Sequence, residues 1–66
     1  MQILAENQQM RIVRRLDGSL SPQERESGFW FTCYYADGWP VIVADTPAGR
    51  HECEAWTGLT LSAVAQ

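Results

Sequence analysis

Phe29-Trp30-Phe31-Thr32-Cys33-Tyr34-Tyr35-Ala36-Asp37-Gly38-Trp39-Pro40-Val41-Ile42-Val43-Ala44 decides the fold. Its first seven residues are aromatic or β-branched apart from one cysteine. Gly28 stands before them, so they read as a strand. Asp37-Gly38 is a strong hairpin signal, because a type I′ turn needs positive φ at both central positions. Val41 to Ala44 then reads as a second strand, with Pro40 at its end because proline has no ladder donor. A two-residue turn predicts Ala36 opposite Trp39, Tyr34 opposite Val41 and Thr32 opposite Val43. Alternation then puts Phe29, Phe31, Cys33, Tyr35, Ile42 and Ala44 on the core face. Trp30, Thr32, Tyr34, Val41 and Val43 take the other face. That face is too apolar to stand bare, so a second element or a partner is expected over it.

Downstream, Thr46-Pro47 predicts a helix start, with Thr as N-cap and Pro at the first helical position. The helix runs to about Trp56 or Thr57 and stops at Gly58. At about 100° per residue, Ala48, Gly49, Cys53, Ala55, Trp56 and Leu59 fall on one side. Arg50, His51, Glu54 and Thr57 fall on the other, while Glu52 lands on the apolar side. Upstream, Ser21-Pro22-Gln23-Glu24 matches a capping box and predicts a short helix from Pro22 to about Ser27. Met10, Ile12 and Leu16 alternate as a strand over residues 10–16, although the composition there also suits a helix. The tail, Leu59 to Gln66, fits a fourth strand or a helix end.

The expected architecture is α+β: a small antiparallel sheet of three strands, or four, with one main helix packed on one face and a short capped helix before the central hairpin. At 66 residues the chain forms one small domain, 1–66. Its hydrophobic content of 45% is too high for a disordered tail, and two cysteines are too few for a disulfide scaffold. The first residues lack the basic start of a signal peptide, and no apolar run is long enough to span a bilayer. A cytoplasmic location with reduced thiols is the simplest expectation, and a Cys33–Cys53 bridge stays open.

The net charge of −3 is unevenly spread. Residues 1–25 balance at +1 and residues 26–66 at −4. No lysine is present. Chemistry-bearing groups cluster only at His51-Glu52-Cys53. Helical spacing puts His51 and Cys53 on different sides, so no metal site and no cofactor are expected. Cys33 on the core face is a poor nucleophile and no base is placed beside it, so no catalytic residue is assigned. Spaced carboxylates can instead occupy arginine and lysine side chains that otherwise hold phosphates. The candidate partner-binding residues are Glu26, Asp37, Trp39, Asp45, Glu52 and Glu54, with Trp30 and Tyr34 if their sheet face is open. Arg11, Arg14 and Arg15, with those aromatics, form the alternative: a nucleic-acid-binding patch.

One compact acidic domain, an aromatic hairpin over Phe29–Ala44 and the lack of a catalytic motif resemble small phage accessory proteins. They resemble most of all the anti-CRISPR proteins that disable type I surveillance complexes. The resemblance spans the whole chain and carries no signature residue, so no functional residue is transferred from it. It implies a stoichiometric inhibitor in the bacterial host cytoplasm. Such a protein docks on a basic surface of the complex and blocks nucleic-acid binding or effector recruitment. No membrane partner is expected.

Overall fold

A computed structural model describes residues 1–61. Four strands, β1 (Gln2–Glu6), β2 (Met10–Arg14), β3 (Leu20–Glu26) and β4 (Phe29–Thr32), precede one helix, α1 (Pro47–Thr57). The strands form one antiparallel meander in the order β1-β2-β3-β4. The helix packs against β2 and β3, so the fold is α+β. No helix among the described residues is long and apolar enough to cross a membrane.

The strand expected over 10–16 forms, but it ends at Arg14, and Leu16 is 95% exposed in the following turn. Two strands were not expected from the sequence, β1 at the start of the chain and β3. In the tail, Leu59 to Leu61 is not strand, and Leu61 packs into the core beside Ile12, Leu20 and Cys53. The rest of the tail lies outside the described residues.

The short helix expected from Pro22 to Ser27 is absent: those residues belong to β3 and its turn. The capping-box serine caps nothing. Ser21 is buried and its hydroxyl donates to the Val41 carbonyl at 2.9 Å. Tertiary burial of Ser21 and Pro22 outweighs the local capping signal, which contributes only about 1 kcal/mol. Ser27 and Gly28, at φ 51° and 84°, make a tight turn into β4.

Pro22 inside an inner strand has a consequence for the next one. The Pro22 carbonyl accepts from the Cys33 N–H at 3.0 Å, but proline returns no donor. The Cys33 carbonyl takes the Val41 N–H instead, at 2.9 Å. The ladder therefore ends at Thr32, and the chain beyond it pairs with the Pro40–Val41 segment.

The hairpin that follows is wider than expected. Gly38 N–H bonds the Tyr35 carbonyl at 2.9 Å and Tyr35 N–H bonds the Trp39 carbonyl at 2.8 Å. Gly38 has φ 91°, while Asp37 does not have positive φ. Three residues, Ala36 to Gly38, form the loop, a type I turn closed by a bulged glycine. Tyr34 thus faces Pro40 and not Val41. A slip of one residue exchanges the faces beyond the turn. Val41 is fully buried and Val43 half-buried, whereas Ile42 is 40% exposed and Ala44 is exposed. Residues 41–44 do not form a strand; Val43 makes a single bridge to Leu20.

The helix caps are as read from the sequence. Thr46 Oγ1 accepts from Gly49 N at 3.1 Å, Pro47 opens the first turn, and Gly58 ends it at φ 74°. Its buried stripe is Gly49, Cys53 and Thr57. The expected stripe lay further round, and Ala48, Ala55 and Trp56 are exposed. Thr57 satisfies its buried hydroxyl by donating to the Cys53 carbonyl at 2.9 Å.

Ile12, Leu20 and Cys53 show which sheet face the helix covers. Directly opposed residues share a face, so Pro22, Glu24, Glu26, Phe29, Phe31 and Cys33 lie on that side too. Arg11, Val13, Gln23, Arg25, Trp30 and Thr32 lie on the other.

Candidate partner-binding surface

The helix covers only part of its sheet face. Cys33 is buried, but Phe31 and Phe29 stand 50% and 68% exposed, so the expected core face is covered only at one end. Phe29 sits opposite Glu26 and Phe31 opposite Glu24. Both glutamates are exposed. Further along the same side, Tyr35 donates its hydroxyl to Glu52 of the helix and meets Trp56 edge-on at 5.8 Å and 71°. The Glu52 carboxylate, with burial second, raises the Tyr35 pKa above its ordinary value. The outcome is a strip along β4 and the outer side of α1 in which aromatic rings alternate with carboxylates.

The acids expected to bind a partner divide into two groups. Glu26 and Glu52 are in this strip. Asp45 is held between two arginines, Arg14 at 2.8 Å and Arg50 at 2.7 Å. The hydrogen bond from Arg14, then that from Arg50, draws its pKa below the ordinary carboxylate value. Glu54 accepts from the Leu61 N–H at 2.7 Å and has His51 at 3.8 Å, so it anchors the chain leaving the helix. Asp37 accepts from the Trp39 N–H at 3.0 Å and braces the hairpin tip, where Trp39 is 71% exposed. Glu24, Phe29, Phe31 and Trp56 join the strip without having been singled out in the sequence. The two phenylalanines were expected on the core face, and no sequence signal says that the helix stops short of them.

The arginine patch also divides. Arg14 lies on the helix side, bound to Asp45. Arg15 pairs with Asp17 at 3.6 Å. Arg15, with Asp17, lines a groove on the open sheet face. Arg11 stays on that face unpaired, joined there by Arg25: both guanidinium groups lie over Trp30, at 4.5 and 5.7 Å from the ring centre. Tyr34 is 58% exposed beside this groove of about 470 Å³.

The two cysteines are unbridged and buried. Burial, with Glu52 next, raises the Cys53 thiol to about 11, and burial raises Cys33 as well. A raised thiol pKa stabilises the fold below the unfolded value of about 9. That contribution is lost as pH climbs from there through about 11. Folded protein is therefore expected to resist iodoacetamide at pH 8 and to react once unfolded in guanidinium. Stability to denaturant should fall between pH 9 and 11, less steeply in Cys53→Ala. Rapid labelling of both thiols in folded protein would contradict the buried placement.

No family model matches the chain, and neither a curated protein nor a solved structure matches it.

Proposed function

We propose that the chain is a non-enzymatic binding protein whose acidic and aromatic strip docks on a basic surface of a larger protein. One observation carries this: Glu26 pairs with Phe29 and Glu24 with Phe31 across the β3–β4 ladder, with both rings open to solvent. Apolar anchors beside unpaired charge are the make-up of an interface hot spot, and the carboxylates complement arginine and lysine. In the form the resemblance implies, the partner is a subunit of a type I CRISPR surveillance complex, and occupancy blocks nucleic-acid binding or effector recruitment.

The test is interferometry of the immobilised chain against a purified type I surveillance complex. Phe31→Ala is expected to weaken binding about thirtyfold, the loss of one hot-spot residue. Glu24→Lys with Glu26→Lys should weaken it further, and added salt should weaken the parent interaction. Lack of association, or association indifferent to salt and to the charge reversal, overturns the proposal.

A further inference from the structure

The sheet face away from the helix presents a second chemistry. Arg14, Arg15 and Arg50 each have a carboxylate within ion-pair distance. Among the described residues, Arg11 and Arg25 have none, although Glu6 stands opposite Arg11 in the ladder. Both of these uncompensated cations stack on the same indole, Trp30. Arg11 is also fixed by its Nε, which donates to Gln23 Oε1 at 2.6 Å. Stacking and this bond orient the guanidinium while its two terminal nitrogens remain free to donate. Tyr34, beyond the end of β4, lies on the same side of the molecule, where it shares a groove with Thr32 and Gln23. Val13, Pro40 and the paired Arg15 and Asp17 also line it.

We propose that this open face binds single-stranded nucleic acid, with Arg11 and Arg25 on phosphates and the Tyr34 ring stacking a base. Charge complementarity supports an anionic ligand: the molecule is acidic overall, yet its two unpaired arginines meet at one place. The position of the rings selects the ligand class. Extended peptides add to sheet edges, whereas unstacked bases lie flat on aromatic side chains that project from a sheet face. This inference uses the side opposite the acidic strip and does not depend on the docking proposal.

Fluorescence anisotropy with a labelled oligothymidylate of about twelve nucleotides tests it. Two phosphate contacts predict a log–log salt slope of about −1.4. Arg11→Gln or Arg25→Gln should each reduce that slope by about 0.7. Tyr34→Ala should weaken binding roughly five- to a hundredfold, the effect of one stacked base. Ala48→Ser, at an exposed position on the helix, should leave it unchanged. All four substitutions are at partly or well exposed positions, and circular dichroism checks that each variant folds. Failure to bind at low salt, binding insensitive to salt or to the arginine changes, or equal competition by a polyglutamate peptide would overturn the assignment.

Discussion

Gly49→Ala is expected to lower the melting temperature by roughly 12–24 °C, a loss of about 3 kcal/mol. Helix propensity alone argues the reverse, because alanine in place of glycine inside a helix gains about 1 kcal/mol. The difference is steric. A Cβ on Gly49 would meet the Ala44 carbonyl oxygen at 1.9 Å and Val43 Cγ2 at 3.3 Å. The first of these is backbone and cannot rotate away. The segment before the helix is itself tied down: Val43 bridges Leu20, and Thr46 N–H bonds the Ala44 carbonyl at 2.9 Å. Relief therefore requires moving the helix off β2 and β3. A domain of this size holds only about 3–10 kcal/mol in total, so the loss is a large share. The control is Ala48→Ser at the neighbouring exposed position, where little change is expected. Thermal melts of Gly49→Ala and the parent decide the matter; an equal or higher midpoint for Gly49→Ala would show that the helix does not sit this close.

Val41→Asp is expected to leave no folded protein at 25 °C, while Ile42→Asp folds with a loss within about 1 kcal/mol. The two side chains are neighbours, and Ile42 is the larger. Hydropathy gives no reason to prefer Val41. Val41 is fully buried and its N–H and carbonyl are both engaged, with Cys33 and with Ser21. An aspartate there loses about 1.5–3 kcal/mol of apolar burial and in addition places a charge where nothing pairs it. Ile42 is 40% exposed at the rim of the open-face groove, where a carboxylate keeps its water. Circular dichroism and urea melts of the two variants separate the possible registers. The opposite ranking would restore the two-residue turn and put Ile42 in the core.

That pair of residues shows where local reasoning stops. Asp37-Gly38 correctly marks a turn, but a three-residue loop also suits a glycine at its last position, here Gly38 at φ 91°. The two loops differ by one residue and hence by the identity of every inward side chain beyond them. The choice is made at a distance, by Pro22, whose missing N–H leaves the Cys33 carbonyl for Val41. The capping box at Ser21 fails for a related reason: a four-residue pattern yields to a buried strand position between Val13 and the Val41 segment.

The candidate surfaces were legible in kind and not in place. Excess acid in the second half of the chain is visible at once, and Glu26 and Glu52 belong to the strip it suggested. Asp45 and Glu54 do not have free carboxylates, because Arg14, Arg50 and the Leu61 N–H reach them across 31, 5 and 7 residues. Arg11, Arg14 and Arg15 look like one patch in the sequence, yet strand alternation sends Arg14 to the helix side and leaves Arg25 to take its place beside Trp30.

Signals between neighbours along the chain suffice for the α+β class, a strand beginning at Phe29, and a helix bounded by Thr46, Pro47 and Gly58. Those signals act through bonds and dihedrals within a few residues, so they survive in almost any tertiary setting. Only the folded structure decided the hairpin register, the strand at Pro22, the reach of the helix over β4, and which charges remain unpaired. Each of these is settled by a donor, a carbonyl or a volume supplied from elsewhere in the chain, and pattern within a short window does not contain it.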